Sequence, residues 1–241
     1  MAEGRQYTWK GPGGPFSVTV DDGVFAPSST SRVLGEAMEV RPGDTVLDTG
    51  CGCGVLSFAA ARLGAGRVIG SDLSEEAVKC ATRNAEELGL DQVTEFRAGP
   101  LFEPVRDVRA DVIIADVSGI PDAVAKVTGW FPDGHGGGPT GAELPVEMLT
   151  EIGDHLTPSG RVYLPTASIQ DEDAVLAAAR RVFRDAMRPV ASRSFPLPDA
   201  VTKAQDVARL VSDRVIHLTH RGSRMFWKLT IWCCGSASFA G

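Results

Sequence analysis

Thr45-Val-Leu-Asp-Thr-Gly-Cys-Gly-Cys-Gly-Val-Leu-Ser57 is the stretch that decides the fold. Three β-capable residues, Thr45, Val46 and Leu47, run into Asp48. Glycine then falls at every second position, at Gly50, Gly52 and Gly54, before a helical run over Val55–Leu63. A strand that stops at a glycine-rich turn and restarts as a helix predicts bare backbone amides at the strand's carboxyl end, where open parallel sheets bind ligands. A second apolar run, Val68-Ile-Gly70, ends at Asp72. A carboxylate about 20 residues beyond the glycines sits where a ribose diol is gripped. The pattern therefore predicts a nucleotide-type cofactor site.

Spacing selects among cofactors. The nicotinamide fingerprint needs its third glycine three residues past the second, whereas this chain has G-x-G-x-G with an acid two residues upstream. No G-x-x-x-x-G-K-[ST] follows a strand, so a triphosphate cradle is excluded. An acid on the first strand repels phosphate and welcomes a cation.

Working outward, the alternation of strands and helices continues. Strands are expected near Thr45–Asp48, Arg67–Asp72, Val93–Arg97, Asp111–Ala115 and Arg161–Leu164. Helices are expected near Val55–Leu63, Glu75–Leu88, Glu143–Leu156, Asp173–Met187 and Asp199–Ser212, with Ser74 capping the second. The end reads as a hairpin, Val215–Thr219 and Met225–Cys233 about a turn at Arg221-Gly222-Ser223. Such alternation argues for a parallel sheet covered on both faces, with an antiparallel terminal pair. Before it, Met1–Pro15 reads as a tail or lid, and Phe16–Val20 with Val24–Ala26 as a small hairpin about Asp21-Asp22-Gly23. A helix capped within Pro27–Ser31 then runs to about Glu39. Residues 1–40 are thus a tail, hairpin and lid helix, and residues 41–241 the cofactor-binding domain.

The ordered pattern D-x-G-x-G-x-G, helix, strand and Asp72 resembles motif I of the class I S-adenosylmethionine (SAM) methyltransferases. That resemblance implies an α/β Rossmann-like sheet, mostly parallel, and SAM as cofactor. It places Asp48, Gly50, Gly52, Gly54, Asp72 and Leu73 around the cofactor, with Asp72 on the ribose hydroxyls. From Val24 to Leu164 the chain looks nearest the branch holding the release-factor glutamine methyltransferases, through Phe25-Ala-Pro27, Leu101-Phe-Glu-Pro104 and Gly137-Gly-Pro-Thr-Gly141. Two departures matter. The Asp that this branch offers to adenine is replaced by Gly99-Pro100, leaving the backbone around Gly99 and Leu101 for that task. The Asn-Pro-Pro-aromatic motif after strand four is replaced by Asp116-Val-Ser-Gly119. Methylation of a glutamine amide or of adenine is therefore not expected.

Asp116, at the end of the central strand, is the first candidate for contact with the acceptor or the cofactor's amino group. Ser118 follows as a hydrogen-bonding group. His135, in Asp133-Gly-His-Gly-Gly-Gly138, is a candidate general base, weighed against a plain surface histidine. Trp130 and Phe131 are candidates to pack on adenine or acceptor. His217 and His220 are three apart on a strand, hence on opposite faces, and no metal site is expected. The five cysteines, Cys51, Cys53, Cys80, Cys233 and Cys234, lack C-x-x-C spacing and read as free thiols.

The 241 residues suit one domain with a full core. A net charge of −7 argues against a broad nucleic-acid footprint, and Arg180, Arg181, Arg184 and Arg188 read as one solvated helical face. No apolar run reaches membrane-spanning length, so no membrane partner and a cytoplasmic location are expected; a homodimer is compatible with the chain. The leading expectation is methyl transfer to a small-molecule acceptor bearing an amine or hydroxyl. The alternative is an enzyme that cyclises SAM itself with release of methylthioadenosine, as azetidine-2-carboxylate synthases do. A protein methyltransferase ranks third.

Overall fold

A computed structural model of the chain describes residues 4–130 and 136–235. The quoted stretch folds as read: β3 (Thr45–Thr49), the glycine turn, and α2 (Val55–Arg62), with β4 (Arg67–Asp72) beside β3. Helix α3 (Glu75–Leu88) starts at Ser74, whose hydroxyl accepts the Ala77 amide at 3.2 Å. Strands β5 (Thr94–Ala98), β6 (Ala110–Ala115) and β7 (Leu156–Ala167) extend the parallel sheet, with α4 (Asp122–Thr128) and α5 (Glu143–Glu151) between the last two. Helix α6 (Glu172–Phe183) leads to β8 (Met187–Pro196), then to α7 (Asp199–Thr202), α8 (Gln205–Ser212), β9 (Thr219–Arg221) and β10 (Arg224–Gly235).

The sheet runs β5-β4-β3-β6-β7-β10-β8, with β9 pairing the start of β10. Strands β3 to β7 are parallel, while β10 is antiparallel to both β7 and β8. Strand β3 has β4 on one side and β6 on the other, so crossovers leave it in opposite directions. A crevice opens at that switch point, above the carboxyl ends of β3 and β6. The two faces of the sheet can be read off single strands. Val46, Val68, Val112 and Ile114 point into one core with Phe58, Ala77 and Cys80. Their neighbours Leu47, Ile69 and Ile113 point into the other, with Met148, Leu149, Val175 and Ala179. Period-two alternation of apolar residues is what a strand covered on both faces requires.

The two ends of the chain depart from expectation. Phe16–Val20 (β2) pairs with Arg5–Trp9 (β1), not with Val24–Ala26. Trp9 is the cause: it is 1% exposed, donates from Nε1 to the Pro12 carbonyl at 2.9 Å, and lies against Gly35, where a Cβ would come within 2.6 Å of its ring. The polar segment read as a tail is thus pinned by one indole. Helix α6 stops at Phe183, with Arg184 at φ 53°, so Arg184 and Arg188 do not continue one helical face. After Arg184-Asp185-Ala186, the ten residues Met187–Pro196 form the edge strand β8. The helix expected over Asp199–Ser212 breaks at Lys203-Ala204 into α7 and α8. Of the expected Val215–Thr219 strand only Thr219 pairs, as the first residue of β9; the terminal hairpin forms between β9 and the start of β10, and β10 runs on as a long strand between β7 and β8. No helix among the described residues is long and apolar enough to cross a membrane.

Candidate active site

The glycine turn after β3 needs its glycines for two different reasons. Gly50 has φ 79°, and a Cβ there would lie 2.8 Å from the Asp116 carbonyl, so the ends of β3 and β6 meet only because nothing stands between them. Gly54, at φ 87°, starts α2 against the Phe58 ring and does not line the crevice. Four amides of the turn are not bare, contrary to expectation. Those of Gly50 and Cys51 donate to the Ser71 carbonyl (2.8 and 3.0 Å), that of Gly52 to Asp72 Oδ2 (2.8 Å) and that of Gly54 to the Cys51 carbonyl (2.9 Å). With those donors spent internally, the turn is no phosphate cradle. What it presents to a ligand is mostly carboxylate and carbonyl oxygen.

Above it lies a cavity of about 1040 Å³. Of the residues expected at a site, Asp48, Gly50, Gly52, Asp72, Leu73, Gly99, Leu101, Asp116 and Ser118 all line it. His135 and Phe131 lie outside the described residues. Trp130 stands at the rim, and Leu73 is 75% exposed. Gly99 and Leu101, at φ 147° and 44°, bend the chain past β5, with the Leu101 carbonyl held by the Ser71 hydroxyl at 3.2 Å. His155 is not at the site; it is buried, stacked on Phe102 and bonded through Nδ1 to the Val108 carbonyl.

The cavity's charge is one-sided. Four carboxylates line it, Asp48, Asp72, Asp116 and Glu147, and no lysine, arginine or histidine does among the described residues. Asp48 is buried; its Oδ2 accepts the Ser57 hydroxyl at 2.6 Å, and its Oδ1 has no partner. Burial pushes its carboxyl up to about 7, with help from the charges of Asp116 and Asp72 and against the Ser57 hydrogen bond. Burial likewise raises Asp116 to about 6, while Ser31 Oγ donates to its Oδ2 at 3.2 Å and opposes the rise. The Asp72 carboxylate bridges two turns, accepting the Gly52 amide and, at 3.0 Å, that of Ser74. The thiols of Cys51 and Cys53 are held neutral by burial, Cys53 at about 12. Among the described residues no cluster is arranged to hold a metal ion.

Four residues of this arrangement escaped the sequence reading. Ser57 lies within the quoted stretch, but its partner is set by the turn of the chain. Ser31 was legible only as a helix-cap serine. Glu147 is the fourth carboxylate, brought to the rim by α5. Gln170, 3% exposed on the far wall, has an Nε2 without a partner, and its Oε1 lies 3.2 Å from where a Cβ on Gly119 would sit. These residues fit SAM: the unpartnered Asp48 Oδ1 would accept its cationic amino acid headgroup, and Gly50 keeps the meeting of β3 and β6 free of side chains.

The profile of a family described as "Methyltransferase domain" matches residues 41–220. A ribosomal protein L11 methyltransferase from Caldanaerobacter subterraneus subsp. tengcongensis is 44% identical over 119 residues, 47% of this chain and 37% of the relative. The chain spans about a third of the length of the curated relatives it matches first. A ribosomal protein L11 methylase from Lactobacillus delbrueckii subsp. bulgaricus superposes with a TM-score of 0.54 at 20% identity, covering 89% of this chain and 83% of that one. The Thermus thermophilus 16S rRNA N2 G1207 methyltransferase, solved with AdoMet and guanosine, gives 0.62 at 15% identity over 98% and 51%. These likenesses establish the expected sheet and cofactor. They overturn the expectation of a small-molecule acceptor with nucleic acid excluded, because the relatives are named for macromolecular substrates.

Proposed function

Because the chain belongs to the methyltransferase domain family and takes its methyl group from SAM, we propose that its acceptor is an amine carried by a polypeptide. One observation carries this reading: the cavity is ringed by four carboxylates with no cationic side chain among the described residues. Such a wall favours a sulfonium and an ammonium together and disfavours a phosphorylated acceptor. The names of the L11 methyltransferase relatives point the same way. A volume of about 1040 Å³ lies at the upper end of small-ligand sites, which leaves room for an acceptor side chain beside the cofactor.

When bound, SAM supplies an electrophilic methyl for in-line displacement. In this reading Asp48 holds the cofactor's ammonium through its unpartnered Oδ1, and Asp72 faces the ribose while bracing the turn. Asp116 attracts the acceptor's ammonium. Its Oδ2 is engaged by Ser31, so Oδ1 is the atom that takes the proton as the amine becomes nucleophilic. With its carboxyl at about 6, Asp116 is mostly ionised at neutral pH and able to do so. Trp130 and Trp227 wall the acceptor end and exclude water. Ser118 and Gln170 are among the polar groups that orient what enters.

The test is radiolabelled SAM with purified protein and a cell lysate depleted of small molecules. Label that survives nuclease and is lost to protease supports a polypeptide amine. Nuclease-sensitive label refutes it, and methylthioadenosine formed from SAM alone would instead mean that the cofactor is cyclised.

A further inference from the structure

The chain's charge is unevenly spread. Residues 187–228 carry eight lysines and arginines against three acids, in a protein of net charge −7, and no Asp or Glu occurs in β8, β9 or β10. Side-chain alternation sorts these strands into two faces. Trp227 and Leu229 of β10 line the cavity. Arg224, Phe226 and Lys228 point to the opposite face, and register sets Arg221 beside Arg224, Thr219 beside Phe226 and Ser194 beside Lys228. The three cations are exposed and Phe226 is half-buried. The Arg221 guanidinium lies 5.0 Å over the Phe226 ring, and its Nη2 donates to Ser194 Oγ at 3.2 Å. Among the described residues none of Arg221, Arg224 and Lys228 has an ion-pair partner, unlike Arg193 and Arg209, which pair with Glu36 and Asp206. Glu172, at the head of α6, already accepts the Thr166 hydroxyl at 2.6 Å.

We propose that this uncovered face of β9 and β10, built from Arg221, Arg224, Phe226 and Lys228, docks single-stranded RNA. Three cations without ion-pair partners on one strand pair offer a track for successive phosphates. The exposed Ser194 hydroxyl, which accepts from Arg221, adds a donor to phosphate or ribose oxygens. The aromatic ring and its overlying guanidinium give an unpaired base a flat surface to stack on, worth about 1–3 kcal/mol per base in such sites. An acidic peptide would satisfy the cations but has no base for the ring. A duplex keeps its bases stacked away from it. The face is the reverse side of the strand that walls the cavity, so an RNA held there lies alongside the site without entering it. The inference stands apart from the acceptor assigned above, since it concerns a different face and no methyl transfer.

The probe is a fluorescently labelled 12-residue oligouridylate, titrated by anisotropy with the full chain and SAM present. Binding should weaken with salt, with a log–log slope near −2 for about three phosphates at roughly 0.7 each. Arg221→Ser with Arg224→Ser should reduce affinity at least tenfold and flatten that slope. Phe226→Leu should weaken binding severalfold and leave the slope unchanged. Each variant's thermal shift with SAM should match that of the unaltered protein, which guards against misfolding. No binding at 50 mM salt, variants that bind as tightly as the parent, equal binding of polyglutamate, or preference for a 12-base-pair duplex would each overturn the proposal. None of these outcomes depends on where a methyl group ends up.

Discussion

Replacing Asp48 by asparagine should make the ligand-free protein more stable at alkaline pH while weakening SAM binding. The reason is the buried carboxyl, raised on folding from 3.8 to about 7. Below pH 3.8 both folded and unfolded chains carry its proton, and the group contributes nothing. Between there and about 7 the unfolded chain releases the proton while the folded chain keeps it, so stability falls as pH rises. At about 1.36 kcal/mol per pH unit, the full penalty approaches roughly 4 kcal/mol by pH 8. Asparagine cannot ionise, and it retains an oxygen to accept the Ser57 hydroxyl. Its amide leaves one buried polar atom unpartnered, just as the protonated acid does, so the comparison isolates the charge.

For a chain of this length that difference corresponds to a melting temperature higher by on the order of 10 °C at pH 8, shrinking towards zero near pH 4. Scanning calorimetry of ligand-free protein across that range reads it directly. The same substitution removes a charged acceptor for the cofactor's ammonium, worth about 1.5–3 kcal/mol, so SAM affinity should fall at least tenfold and its thermal shift contract. A variant less stable than the parent at pH 8, or a gain that is constant across pH, would refute the argument. Either result would mean that Asp48 is not held as a desolvated acid.

Three further outcomes follow from the same geometry. Asp72→Ala strips the acceptor from the Gly52 and Ser74 amides and should cost SAM more than tenfold in calorimetric affinity; the fold should remain, because Ser74 still caps α3, and unchanged affinity would count against the ribose role. Gly50→Ala places a Cβ 2.8 Å from the Asp116 carbonyl at φ 79°; the left-handed backbone alone costs about 1–2 kcal/mol, so the urea midpoint should drop and SAM binding should suffer as β6 is pushed away. Gln170→Leu removes a buried amide nitrogen without a partner and should raise the melting temperature slightly without touching SAM affinity, yet raise KM for the acceptor by roughly tenfold; a destabilised variant would refute the reading of that nitrogen as an unsatisfied donor.

How much was legible in the sequence tracks how far apart the interacting residues lie. Asp48, the glycines and Asp72 fall within 25 residues, and strand, turn, helix and strand are local preferences, so that half of the site could be read directly. The other half is made by meetings between distant parts of the chain. Ser31 reaches Asp116 across 85 positions, Gly50 touches the end of β6, and Gln170 enters from beyond β7. The ends of the chain failed for a related reason. The packing of Trp9, not its neighbours' polarity, decides that residues 5–9 form a strand. Strand β8 carries too little apolar alternation to announce itself, because it is an edge whose pairing is supplied by β10.

Charge misled at the level of averages. A net of −7 argues against a broad nucleic-acid footprint, but the net is the sum of an acidic cavity and body with a terminal layer rich in arginine. Electrostatic recognition acts over about a Debye length, near 8 Å at physiological salt, which is smaller than the domain itself. Each face therefore attracts its own ligand regardless of the total. An anionic cavity that gathers cations and a cationic strand behind its wall are compatible in one small protein because each opens to solvent on its own side of the sheet, where salt screens one from the other.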